Sequence, residues 1–390
     1  MNSTDTPQPF FSEKSRRFLL LGTGCALGFC VLAAFLSPRH FFMSWLTVIL
    51  WPWSISLGSL TLLLMIVLTG GKWSETIWQR LSLHARLMPM VGLCFLPWMI
   101  GLSYVYPWTD SAYFEGLENI SHRQWFLQPG FVIGRSILYF FIWIGFSWIV
   151  AGTFLRVRQK RVAESGQILI PGGQAAAGLG LIAILISVTW AAMDWIMSLD
   201  PFFTSTLFGA LVGVGALLAA MAAAIAGYAF NPRNENRNPD SKLMNDLGNL
   251  LLAFVMIWAY FSLSQFLIMW SGDLPQEAAF YQRRLMNSWS WITPALALGG
   301  FFIPLACLLS QDFKRDALKL GLLALFLLGV RLVELAWMVL PGGHKTPLVG
   351  FHWSLLPALF AIPGSYLLAM EALVRRDARQ TEKNLLIPDE

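Results

Sequence analysis

The stretch Trp190-Ala-Ala-Met-Asp194-Trp-Ile-Met-Ser-Leu-Asp200-Pro201 closes one long apolar run and turns the chain toward another. It places a carboxylate, Asp194, in the last turn of a segment, 175–197, that is otherwise long and apolar enough to cross a bilayer, for which roughly 20 residues are needed. An ionisable side chain there is costly, so it points to function or to a specific buried partner. Nine more runs of the same kind flank it, at about 18–37, 42–69, 84–106, 130–153, 204–229, 246–271, 288–310, 316–340 and 350–373. The expected fold is all-α, a polytopic membrane protein with about ten transmembrane helices.

Composition agrees, because a chain of 390 residues with 56% hydrophobic and 13% charged residues cannot present that surface to water. Cys25, Cys30, Cys94 and Cys307 all lie in apolar stretches and form no Cys-x-x-Cys pair, so they read as small packing residues. The net charge of +5 is spread between the runs rather than gathered on one face, which argues against nucleic acid. Lys14, Arg16 and Arg17 before the first run imitate a signal peptide. No Ala-x-Ala-like cleavage site follows, so this run is expected to be a retained span.

Cytoplasmic loops retain Lys and Arg. Most basic residues fall at the N-terminus, in 72–86, 156–161, 233–242 and 314–319, and at the C-terminus. Arg39, Arg123, Arg283, Arg284 and Lys345 fall on the other side, and Arg135 and Arg331 within spans. Both termini are therefore expected in the cytoplasm, with a short segment 1–17, a ten-span domain 18–373 and a charged tail 374–390. The loops are short, and the only soluble elaborations are 107–129, 154–174, 230–245 with its solvated stretch Asn231–Asp240, and the tail, too little for a soluble catalytic domain.

On this topology the buried charges favour the outer leaflet. Arg135 lies roughly 7 Å deep in the fourth span, and Asp194 sits at the outer end of the fifth. Arg331 and Glu334 lie roughly 14 Å and 9 Å from the outer end of the ninth and share a helix face at i, i+3. Gln265 and His352 fall in the same half, whereas His84, Arg86, Asp246 and Glu371 lie near cytoplasmic span ends. Asp194, Glu334, Arg135, Arg331 and His352 are candidate proton-path residues, with His84, Asp246 and Glu371 on the cytoplasmic side.

A structural reading accompanies each. Arg331 and Glu334 neutralise one another as buried opposite charges must. Asp194 caps a helix end, Asp200-Pro201 starts a turn, and Glu371 with Arg375 and Arg376 anchors an interface. The five histidines do not suit a bis-histidine haem: His40, His122 and His344 fall in loops or at span edges, and His84 and His352 at opposite faces. Ligand spacing for a metal, a phosphate loop and a Ser–His–Asp constellation are not apparent. Proline at Trp51-Pro-Trp53, Pro97-Trp98 and Pro304 is expected to kink its span. A secondary transporter would also use ten spans, but no paired broken-helix site is evident.

Several motifs in order carry a resemblance: Leu68-Thr-Gly-Gly-Lys-Trp73, Phe95-Leu-Pro-Trp98, Tyr106-Pro-Trp108, Arg135-Ser-Ile-Leu-Tyr-Phe140, Asp194-Trp-Ile-Met-Ser-Leu-Asp-Pro201, Trp258-Ala-Tyr-Phe-Ser-Leu-Ser-Gln265, Asn287 to Trp291, and Arg331-Leu-Val-Glu-Leu-Ala-Trp337. From about the second span to the tenth the chain resembles the F subunit of bacterial alternative complex III, a quinol oxidoreductase of the inner membrane. The resemblance implies a polysulfide-reductase-type (NrfD-like) fold of two four-helix bundles, spans 2–5 and 6–9, flanked by spans 1 and 10. It implies a subunit without its own cofactor, quinone or quinol nearby, and haem c and iron–sulfur clusters in partner subunits beside an NrfD-like sister subunit and lipid. It also implies a proton-conducting role for Asp194, Arg135, Arg331 and Glu334. Similar members carry Asp where this chain has Glu334, which keeps the charge and alters its reach. The N-terminal 40 residues match nothing distinctive.

Overall fold

A computed structural model describes residues 11–70, 72–110, 125–161, 173–230, 241–285, 289–343 and 352–386. The stretch Asn231–Asp240, the segment with His122 and Arg123, Asn287, His344 and Lys345 lie outside them. The described residues form an all-α polytopic membrane protein, without strands, in which ten helices are long and apolar enough to cross a bilayer. In order these are span 1 Glu13–Leu36, span 2 Pro38–Thr69, span 3 Ile77–Ile100, span 4 Pro129–Val150, span 5 Gly173–Leu199, span 6 Phe208–Ala229, span 7 Ser241–Gly272, span 8 Ile292–Leu309, span 9 Ala317–Val339 and span 10 Leu355–Gln380.

Spans 2 and 6 form the centre. In their most apolar stretches 83% and 78% of residues are buried, against 22% in spans 1 and 7, which leave most of their surface for lipid. Span 6 reads Phe-Gly-Ala-Leu-Val-Gly-Val-Gly-Ala over Phe208–Ala216, and small side chains let backbones approach where lipid gives no hydrophobic drive to associate. The closest approach is at Gly58 of span 2, where a Cβ would stand 2.0 Å from the carbonyl oxygen of Ala216. Spans 2 to 5 pack into one four-helix bundle and spans 6 to 9 into another, joined along spans 2 and 6. Spans 1 and 10 pack on each other and lie together against span 2, with Gly364 tight against Thr23.

Span boundaries differ from the hydropathy reading by several residues at most of the spans. Span 1 begins at Glu13, capped by Ser12, whose Oγ accepts from the Ser15 N–H at 3.2 Å. Span 3 starts before 84, because an amphipathic helix Lys72–Ala85 runs into Met88–Ile100 with a break only at Arg86 and Leu87. Pro89 lacks an N–H for the ladder, and the Leu87 N–H turns back to His84 O instead. The helix of span 10 continues to Leu386, so much of the expected tail is helical. Of the prolines marked for kinks, Pro52 and Pro97 lie inside helices, and Pro304 follows a π-helical turn, Leu298–Phe302.

Candidate functional site

Asp194 has no exposed surface at all. Arg135 of span 4 donates to it through two nitrogens, Nε to Oδ2 at 3.0 Å and Nη2 to Oδ1 at 2.7 Å. The Tyr139 hydroxyl adds a third donor, 2.8 Å from Oδ2. Arg135 and Tyr139 are four residues apart and therefore project from one face of span 4 toward the last turn of span 5. The guanidinium also lies 4.0 Å over the Phe126 ring and donates to Phe126 O at 2.9 Å. Directly behind the carboxylate, Trp195 packs among Trp53, Phe95, Trp98, Phe140 and Trp143, and its Nε1 donates to Ser136 Oγ at 2.9 Å. So apolar a wall strengthens the attraction within the pair and makes an unpaired charge there costly.

Span 9 carries the second pair. Arg331 and Glu334, 2% and 3% exposed, form an ion pair on one helix face, and Trp258 Nε1 of span 7 donates to Glu334 Oε1 at 2.9 Å. Gly215 of span 6 makes room for the guanidinium: a Cβ there would stand 2.2 Å from Arg331 Nη2. Arg331 Nε is buried with no acceptor among the described residues. Asp194 and Glu334 also share a feature of sequence, since each precedes a proline, Pro201 or Pro341, by seven residues. Their spans end side by side, with the Gly343 N–H donating to Leu199 O at 3.0 Å.

His352 belongs to neither pair. Its ring stacks on His40 at 4.0 Å between centroids, and its Nδ1 lies 2.9 Å from Ser354 Oγ, which is 3.2 Å from Ser44 Oγ. Burial holds the His352 imidazole below its ordinary pKa. The five outer candidates thus occupy three local groups: hydrogen bonds join Arg135 with Asp194 and Arg331 with Glu334, and link neither pair to His352.

No protein-family model and no curated protein matches this chain.

The charge pattern did not single out the cluster next to the two pairs. Asp200 reads as a turn former and Arg283 and Arg284 as loop charges, yet the helix Pro275–Leu285 folds them together. Arg283 forms an ion pair with Asp200, whose Oδ2 lies 3.6 Å from Arg284 Nη1. Arg284 is wholly buried, stacks 3.4 Å over Phe280, and donates to Trp337 O, Met338 O and Phe280 O at 2.9, 2.6 and 2.6 Å. Two of those carbonyls belong to the last turn of span 9, whose carbonyls lack intrahelical donors, so Arg284 caps that helix. Burial pulls its guanidinium down to about 10. The available signal was a pair of arginines on the side otherwise poor in cations.

Toward the opposite ends of the spans, His84 is buried rather than at a membrane edge, a consequence of the earlier start of span 3. Its Nδ1 lies 2.9 Å from the Tyr366 hydroxyl, which in turn lies 3.1 Å from Ser56 Oγ. Glu371, 1% exposed, accepts from Arg375 Nε at 2.9 Å, and Arg375 reaches Glu13 at 2.7 Å. Arg86 grips Asp377 with two hydrogen bonds of 2.6 and 2.9 Å. Asp246 is exposed near the start of span 7.

Proposed function

We propose that this chain is an inner-membrane subunit of a quinol-oxidising electron-transfer complex of the alternative complex III kind. In this reading both termini are cytoplasmic, and the haem c and iron–sulfur centres belong to partner subunits. The observation that carries it is Asp194, a carboxylate without exposed surface held by the fork of Arg135 and the hydroxyl of Tyr139. The ordered motifs around it support the same reading.

Oxidation of a quinol gives a quinone, two electrons and two protons, and the protons must leave through groups that change charge. Asp194 and Glu334 are such groups. Arg135 and Arg331 keep a positive charge at each position whether or not the carboxylate holds a proton, and Tyr139 and Trp258 orient the accepting oxygens. The test is turnover of the assembled complex with Asp194→Asn and Glu334→Gln. Slower turnover with an altered pH profile is expected, and unchanged turnover with an unchanged profile defeats the proton role.

A second reading has its own observation. Each buried carboxylate is already paired within the chain, and Arg284 caps span 9 through two carbonyl contacts, to Trp337 and Met338. Such groups suit a rigid anchor that docks partner subunits. On that reading the same two substitutions reduce the amount of complex assembled and leave turnover per complex normal.

A further inference from the structure

At the ends of spans 1 and 10, far along span 10 from His352, a cleft of about 380 Å³ is lined by Arg16, Ala372, Arg375, Arg376, Arg379 and Gln380. Four guanidinium groups therefore face one space. Their acidic neighbours are already engaged: Glu13 with Arg375 and Arg16, Glu371 with Arg375, and Asp377 with Arg86. Arg376 and Arg379 are exposed and make no ion pair or hydrogen bond among the described residues, so the cleft keeps two uncompensated positive charges. They stand three residues apart on one face of the helix, one turn beyond Ala372, whose small side chain leaves the floor open.

The surface beside the cleft is apolar. Arg16 belongs to the first turn of span 1, and Leu20, four residues on and 46% exposed, shares its face. Phe18 and Leu21, 77% and 68% exposed, continue an uncovered apolar surface along a span that buries little of itself. An anion held by these arginines would thus sit at the polar end of a helix whose adjoining surface suits hydrocarbon. Phosphate is the anion that the planar guanidinium fork matches in two-point contact, and basic clefts between membrane helices take anionic headgroups.

We infer that this cleft binds the phosphate headgroup of an anionic phospholipid, with Arg376 and Arg379 as the principal ligands, Arg16 as the third, and the acyl chains on span 1. The inference does not depend on the role proposed for Asp194.

The full chain, purified in detergent, is titrated with diphosphatidylglycerol or with phosphatidylcholine, and bound lipid is counted by native mass spectrometry. Diphosphatidylglycerol is expected to bind the Arg376→Ala/Arg379→Ala variant roughly twenty-five-fold more weakly, two basic side chains each contributing about five-fold at a membrane surface. The Arg376→Lys/Arg379→Lys variant keeps the charge and is expected to retain most of the binding. Equal binding by the parent chain and the alanine variant overturns the inference, as does equal binding of phosphatidylcholine to the parent. Displacement of the lipid by inorganic phosphate at matched concentration also overturns it, by marking a site for the free anion. Both side chains are exposed, so the variants should fold; if the alanine pair does not, the same comparison is read from Arg376→Gln/Arg379→Gln.

Discussion

Replacing Arg135 by Met keeps an unbranched stem over Phe126 and removes the charge opposite Asp194. The carboxylate then loses two of its three side-chain donors and keeps the Tyr139 hydroxyl. Stranding one member of a buried ion pair costs about 3–5 kcal/mol. Because the Arg135 side chain is 14% exposed and Asp194 is wholly buried, water can reach one end of the gap, and the lower end of that range, about 3 kcal/mol, is expected. Arg135→Met/Asp194→Asn removes both charges at nearly constant volume, so the second change should restore about 2 kcal/mol rather than add a further loss. Tyr139→Phe removes one hydrogen bond to a charged acceptor and should cost about 1.5–3 kcal/mol. Unfolding of the purified chain by sodium dodecyl sulfate, followed by tryptophan fluorescence, measures all three, since Trp195 adjoins the carboxylate in sequence. If Arg135→Met costs less than about 0.5 kcal/mol, as a typical surface substitution does, or if the double variant is simply additive, Asp194 does not depend on this pair.

The same titration tests the helix contact at the centre: Gly58→Ala drives a Cβ into the Ala216 carbonyl and should cost about 3 kcal/mol, the upper end for overpacking, whereas Gly24→Ala meets nothing within 4 Å and should fall within about 0.5 kcal/mol of the parent. Asp316 caps span 9, its Oδ1 accepting from the Leu318 and Lys319 N–H groups at 3.0 and 3.2 Å, and Asp316→Ala should cost about 1 kcal/mol. The backbone hydrogen bond from Lys319 holds its carboxyl below the ordinary 3.8, so this contribution is complete above that pH and disappears as pH falls through the lower folded value, which melting at successive acid pH values will show. Burial holds His352 below 6.5, so the fold favours the neutral ring and its contribution to stability declines as pH falls below 6.5; melting curves of His352→Asn should show a shallower acid decline than those of the parent chain.

Hydropathy alone exposes the ten spans because each must satisfy its backbone internally and face lipid or protein with apolar side chains. It also exposes the Arg331 and Glu334 pair, since i, i+3 spacing is local. Arg135 and Asp194 are separated by 59 residues, and sequence supplies their shared depth without their contact. The partners that complete each site, Tyr139 and Trp258, are hidden for another reason: aromatic residues are abundant here, and nothing local marks the one whose polar tip turns inward. Asp200 with Arg283 and Arg284 is hidden because a short amphipathic helix between spans reads as a loop until its packing is known. The position of His84 depends on where span 3 starts, and a polar helix face buried against protein lowers hydropathy just as an exposed loop does. Order along the helix bundle is thus legible from chain position, but position across the bundle is not, which is why five residues toward the same end of the spans resolve into three groups.

The two pairs bear on how the halves of the molecule differ. Spans 5 and 9 occupy the last place in their respective four-helix bundles, end side by side, and each carry a carboxylate seven residues before a proline. Their cations come from different places. Asp194 takes Arg135 from span 4, so its pairing also fastens two helices together, and any change in its charge bears on the seam between spans 4 and 5. Glu334 takes Arg331 from its own helix, so its charge is compensated without reference to a neighbour, and Trp258 alone ties it to span 7. Removing the charge of Asp194 therefore weakens a bond between helices, whereas removing that of Glu334 weakens an ion pair within a helix and the Trp258 hydrogen bond to span 7. Of the two, Asp194 holds its cation across a helix seam and Glu334 holds its cation within one helix, so Asp194→Asn should loosen the seam between spans 4 and 5 more than Glu334→Gln loosens that between spans 7 and 9.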